Sequence, residues 1–268
     1  IVFGLQKSFY WPGFHSVIAR YSQNQQVGRE FGMAYAINSI AQIGGPLVGG
    51  ILSQYFGIAA AFLLAAVIYC ASIVPLLLAK EIFIPKVYAF KDTLKMYRDY
   101  PKKFLGYMGF GEELLVLTIW PIFIYLVVKD YKDTGLLSAA SSFVAAIIAL
   151  FLGKISDQYT KRVLIKIGAF FSSVFWLGRI FAGNFVTAFA SDAFSKGAKE
   201  TLFIPLSTLT YIRAEATHIV PYAVFFEQSL AIGKLSACLI GALLFSLTGS
   251  FVVLFILAAV YSLLYMYI

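Results

Sequence analysis

Nine runs of about 20 apolar residues follow one another along this chain, separated by short polar turns. Wound as a helix, a run of about 20 residues at 1.5 Å rise crosses the ~30 Å hydrocarbon core of a bilayer. The runs cover approximately residues 1–20, 31–52, 58–79, 104–128, 134–152, 163–182, 185–212, 219–247 and 249–268. Membrane-spanning strands would read instead as alternating segments of ~10 residues, whereas these runs are continuous. The fold class that follows is an all-α polytopic membrane protein. Only 13 % of the 268 residues are charged, against roughly a quarter in a soluble domain, so a water-soluble core is excluded.

The distribution of the basic residues orients the spans. If the first run ends at a cytoplasmic Arg20, the cytoplasmic segments hold 14 of the 21 Lys and Arg residues, seven of them between Lys80 and Lys103. External segments hold Lys129, Lys132 and Arg179, and the other four (Lys7, Lys196, Lys199, Lys234) lie inside spans. This positive-inside bias accounts for the net charge of +8, so no nucleic-acid partner is implied. The bilayer is the expected partner, and a bacterial inner membrane the expected location. Cys70 and Cys238 both fall within spans and read as apolar packing rather than as a disulfide. His15 and His218 are too far apart to read as a metal-ligand cluster, and no catalytic string occurs. No enzyme, metal or cofactor is expected.

The chain also repeats itself. Gly4, Pro12 and Arg20 recur as Gly197, Pro205 and Arg213, each 193 positions on (197 minus 4, for example). Gly49 and Gly57 recur as Gly241 and Gly249, and Ala65-Ala66-Val67 as Ala258-Ala259-Val260. Parallel repeats of several spans are one way membrane transporters are built. A polar connection divides the copies, giving three expected units: a partial bundle of three helices over 1–79, a basic linker over 80–103, and a six-helix bundle over 104–268. In the linker, Pro85 suits a helix start, and Val87, Phe90, Leu94 and Tyr97 recur at helical spacing opposite Lys91, Lys95, Arg98 and Lys102. That pattern predicts an amphipathic helix lying on the cytoplasmic leaflet. If the two halves were once equal, three spans are missing before Ile1.

Two motifs carry a family resemblance. The second span reads GMAYAINSIAQIGGPLVGGIL. It resembles the fifth-helix motif of major facilitator superfamily antiporters, through Gly32, Ala41 (where the family has glycine), Gly45, Pro46, Gly49 and Gly50. Small residues on one face permit close helix approach, and Pro46 is expected to bend the helix. The loop GKISDQYTKR is similar to the superfamily's cytoplasmic loop motif at Gly153, Asp157, Lys161 and Arg162, departing from it at Gln158 and Thr160. The resemblance implies a two-bundle architecture matching the family's helices four to twelve, with about nine transmembrane helices present and the first three missing. It also implies a cytoplasmic latch in which Asp157 faces a helix N-terminus or Arg213, and a monomer that works by alternating access.

Ionisable residues inside spans are costly and mark a pathway. The seventh run holds Asp192, Lys196, Lys199 and Glu200, with Asp192–Lys196 and Lys196–Glu200 both at i,i+4 spacing. Starting that helix near Asn184 puts Asp192 roughly 12 Å and Glu200 roughly 24 Å deep. The fourth run holds Glu112 and Glu113, about 100° apart on a helix, so one of the two is expected to face a cavity. Lys7 is the repeat partner of Glu200. By the resemblance these runs line a central cavity, where they would bind a charged or zwitterionic solute. Alternatively, Lys7 pairs with a glutamate in one access state, or the seventh-run charges neutralise one another. Glu112 or Glu113 is the first choice of proton carrier, Glu200 the second. Tyr10, Trp11, Phe14 and His15 flank the Pro12-Gly13 break and read as core packing or as a stacking surface for a ligand. Glu227 and Lys234 share a face of the eighth run. The functional expectation is a secondary active transporter of a small organic solute, coupled to protons and working as an exporter. The alternatives are a proton-coupled uptake symporter, and a non-transporting relative if the chain is natively this short.

Overall fold

The computed structural model describes residues 10, 11, 13, 27–78, 89–156, 160–217 and 219–268. The described residues form helices joined by short turns, with no strand among them. Helices α1 (Val27–Phe56), α2 (Ile58–Ala71) and α3 (Ile73–Leu78) precede the linker. Helix α4 (Phe90–Asp99) belongs to it, and α5 (Pro101–Met108), α6 (Gly111–Leu117) and α7 (Ile119–Val128) make up the fourth apolar run. Then come α8 (Tyr131–Ser156), α9 (Lys161–Gly178), α10 (Phe185–Ala216), α11 (Ile219–Thr248) and α12 (Phe251–Leu264).

Among the described residues, five stretches are both long and apolar enough to cross a membrane: Ile58–Pro75, Pro101–Val128, Tyr131–Ala149, Lys161–Phe181 and Ile219–Thr248. Helices α1 and α10 have the length, at 30 and 32 residues, while Phe251–Tyr267 is a shorter apolar helix. In α10 the buried charges dilute the apolar character. Large apolar side chains such as Phe62, Leu63, Leu235 and Leu239 stand exposed on the outer surface; this is the surface lipid would cover. This is an integral membrane protein of helical, polytopic type.

Local chemistry sets where helices start and stop. Helix α10 begins with a capping box in which Asn184 Oδ1 accepts the Thr187 amide at 3.0 Å and Thr187 Oγ1 accepts the Asn184 amide at 3.1 Å. The fourth run is broken near Gly109 and at Thr118. Pro121 has no amide proton to donate to the Leu117 carbonyl, which accounts for the second break. The repeat is visible in the backbone as well. Gly57, between α1 and α2, has φ +83°, and its repeat partner Gly249, between α11 and α12, has φ +62°. Both turns use the left-handed region that only glycine enters without cost.

Helix packing relies on bare backbone at several places. A Cβ on Gly50 of α1 would lie 2.7 Å from the Tyr131 carbonyl and 3.0 Å from the Gly135 Cα of α8, and one on Gly135 would strike the Pro46 carbonyl. Likewise a Cβ on Gly233 of α11 would strike the Met108 backbone. Two buried clusters fill the six-span bundle. One gathers Tyr107, Phe110, Leu202, Tyr222, Phe225, Phe226 and Tyr265. The other gathers Trp120, Ile124, Leu137, Trp176 and Phe255.

The linker differs from expectation. Its described helix starts at Phe90, and Lys80, Pro85, Lys86 and Val87 lie outside the described residues. Helix α4 buries Thr93 and Met96 against α11. Tyr97 donates to Gln228 Oε1 at 3.0 Å, and its ring meets Phe225 edge-on at 5.0 Å. The tyrosine and the small threonine let one flank dock on protein, while Phe90 and Leu94 stay exposed. The helix is therefore half bound to the bundle rather than resting wholly on the leaflet.

Candidate functional site: a buried charge network in the six-span bundle

Two carboxylates anchor the site. Glu112 sits in the first turn of α6 and is 1 % exposed. Its Oε2 accepts the Trp176 indole N–H at 2.7 Å and the Ser262 hydroxyl at 2.9 Å, and its Oε1 accepts from Lys199 of α10. Lys199 also donates to the Tyr265 hydroxyl at 2.9 Å. Four elements thus converge on one carboxylate, and its charge is matched by a single ammonium.

Asp192, equally buried, lies two turns earlier on α10. It accepts the Trp120 indole N–H at 2.8 Å, pairs with Lys196 at 2.8 Å, and lies 3.6 Å from the Arg179 guanidinium. Lys196 donates further to the Ser138 carbonyl and the Ser142 hydroxyl of α8, both at 3.1 Å.

Arg179 joins the two anchors. Its guanidinium carbon is 4.2 Å from the Trp120 ring centre and 3.8 Å from that of Trp176, and each indole N–H is spent on one of the carboxylates. Stacking on electron-rich faces stabilises a cation that water cannot reach. Arg179 is 1 % exposed, and its Nε and Nη1 have no hydrogen-bond partner, so the rings and Asp192 carry it. The sequence had placed Arg179 in an external segment. The chain instead continues from α9 into a 3-10 turn, Arg179–Phe181, which folds the side chain back into the bundle.

Glu113 turns to a different face from Glu112 and pairs with Lys234 of α11 at 2.6 Å, both side chains about a third exposed (34 % and 27 %). Glu200 does not make the expected pair with Lys196; its Oε2 is buried without a hydrogen-bond partner. Lys196 turns toward Asp192 and α8 instead. The Asp192–Lys196 pair is formed as the spacing predicts.

The remaining sequence candidates fall elsewhere. Lys7, His15 and Asp157 lie outside the described residues. The Tyr10 and Trp11 rings meet edge-on at 5.3 Å. In α1, Pro46 and Gly50 form the contact with α8, whereas Cβ atoms on Gly45 and Gly49 would meet nothing within 4 Å; Gly32 and Ala41 lie further along the same helix. Gly153 is in α8, and Lys161 and Arg162 open α9. Arg213 donates to the Ile268 carbonyl at 3.4 Å. Sequence reading had not singled out Trp120, Trp176, Ser262 or Tyr265 as functional. Within an apolar run an indole or a serine reads as packing, and only the rule that a buried indole N–H seeks an acceptor hinted at their role.

No metal-ligand cluster occurs among the described residues. Together, the helices and the internal charges define a polytopic helical membrane protein with a polar core among α6 to α12. Residues 1–105 match the family model described as Major Facilitator Superfamily. Members are transporters that take small molecules across membranes. The match covers the first three helices and the linker, while the charge network lies beyond it, in residues 106–268. No curated protein matches the chain.

Proposed function

We propose that the protein is a secondary active transporter of a small organic solute, works by alternating access, and couples export to proton entry. The observation that carries this reading is the pair of carboxylates, Glu112 and Asp192, held at 1 % exposure with Lys199, Lys196 and Arg179 among the packed helices. Replacing a buried ion pair by apolar residues is often neutral or stabilising, so a scaffold alone gains little from this arrangement. Charges of both signs within spans are the usual mark of a proton or solute path.

In this reading the two glutamates divide the work. Glu113, partly exposed and paired with a partly exposed Lys234, is the group that exchanges protons. Glu112 fixes α6 against α9, α10 and α12. Lys196 ties the network to α8, the helix that meets α1 across the glycine contact, so a change at the carboxylates acts on the contact with the first helices. Export rather than uptake is favoured by the likeness of α1 to the antiporter motif.

The test uses the full-length protein in liposomes loaded with a pH-sensitive dye and given an inward proton gradient. A panel of organic cations, anions and zwitterions is then screened for solute-dependent proton movement. The reading expects at least one solute class to draw protons, with Glu113→Gln abolishing the coupling. Full proton-driven activity in Glu112→Gln, in Glu113→Gln and in the double variant would sink the proton-carrier assignment. Solute moving with the protons rather than against them would indicate uptake.

A further inference from the structure

Beyond the charge network, and sharing Tyr265 with it, five cations converge on one cavity of about 440 Å³ at the end of the bundle where α5 and α9 begin and α10 ends. They are Lys102 and Lys103 from α5, Arg162 and Lys166 from α9, and Arg213 from α10, with Tyr265 among the aromatic walls. No aspartate or glutamate lines it among the described residues. Arg162 and Lys166 are one helical turn apart, a spacing at which like charges repel. Lys103 is turned onto the Tyr100 ring, 3.8 Å from its centre. The Nη1 of Arg213 is buried without a hydrogen-bond partner. Five cations around one cavity repel one another, and a bound anion would relieve that repulsion.

The geometry points to a binding site for a phosphate-bearing anion at this end of the six-span bundle. Two arginines offer planar forks suited to phosphate oxygens, and three lysines add point charge. The charge bias puts this end of the bundle at the cytoplasmic leaflet, where anionic phospholipid headgroups are the abundant phosphates and basic pockets between spans take them up. A soluble phosphate compound has the same chemistry and could reach the site from the aqueous side. The site is separate from the transport reading and stands or falls without it.

The experiment is calorimetric titration of the purified full-length protein in neutral detergent with three probes: a short-chain phosphatidylglycerol, its phosphatidylcholine counterpart, and inorganic phosphate. Saturable binding of the glycerol lipid, absent for the choline lipid, assigns the site to a headgroup. Saturable binding of inorganic phosphate that competes with the lipid assigns it to the phosphate group itself, from either source. Lys102 and Lys166 are exposed, so Lys102→Gln with Lys166→Gln should leave the fold intact. That pair should weaken binding roughly 25-fold, about fivefold for each charge near a membrane surface. Raising the salt concentration should weaken binding in the unaltered protein too, a readout that needs no variant. No preference for phosphatidylglycerol over phosphatidylcholine together with no phosphate binding overturns the proposal. So does unchanged affinity in the double variant.

Discussion

Trp176 holds Glu112 and Arg179 at once: its indole N–H is 2.7 Å from the glutamate oxygen and its ring centre 3.8 Å from the guanidinium carbon. One side chain therefore serves a buried anion through its edge and a buried cation through its face. Trp120 does the same for Asp192 and Arg179. The two indoles thus link Glu112, Asp192 and Arg179, alongside the direct contacts that Lys199, Lys196 and Arg179 make with the carboxylates.

Breaking the Glu112–Lys199 pair from one side should be costly. Glu112→Gln or Lys199→Gln leaves a buried partner charge uncompensated, and each should destabilise the protein by about 3–5 kcal/mol. The double variant should lose less than the sum of the two, by at least about 0.5 kcal/mol. Thermal unfolding of the detergent-solubilised protein reads both effects. Strict additivity would mean that the two groups do not interact.

Trp120→Phe keeps an aromatic face for Arg179 but removes the donor to Asp192. A loss of about 1–3 kcal/mol is expected from one missing hydrogen bond to a buried charge. Trp120→Leu should cost more, because the cation loses its ring too. Equal melting points for the phenylalanine and leucine variants would show that the ring contributes nothing.

Gly135→Val places side-chain atoms where the Pro46 carbonyl and the Gly50 backbone now lie. Backbone cannot yield as a flexible side chain does, so overpacking of at least about 1–3 kcal/mol is expected. Gly45→Val on the open side of the same motif should be close to neutral. Cysteine cross-linking between α1 and α8 should weaken in the first variant and persist in the second.

The two repeat-related turns should respond alike. Gly57→Ala and Gly249→Ala each force a side chain into positive φ, costing roughly 1–2 kcal/mol, although nothing blocks the added methyl at either site. A large penalty at one turn and none at the other would separate the backbone repeat from the sequence repeat.

How much of this was legible depends on the range of each interaction. Spans are written in runs of one composition, so their order and approximate limits follow from hydropathy, and the helix start taken near Asn184 coincides with the capping box found there. Glu112, Asp192, Lys196 and Lys199 stood out because charge is conspicuous in an apolar run. Their partners did not. Periodicity reveals only neighbours on one helix, so it found Asp192–Lys196 but not Glu112–Lys199, which are 87 positions apart, nor Glu113–Lys234. It also predicted Lys196–Glu200, which fails because α8 claims the same ammonium. Arg179 was misread because a cation near the end of an apolar run resembles a loop residue, and only the returning 3-10 turn shows otherwise.

The tryptophan–arginine stack has a spectroscopic consequence. The chain contains three tryptophans, and two of them flank the same guanidinium while donating to carboxylates. Their emission is tuned by the charges that surround them, so the protein carries its own optical probe at the heart of the six-span bundle. Any event that shifts a proton or a lysine in the network will change the colour or yield of that light, with no label attached.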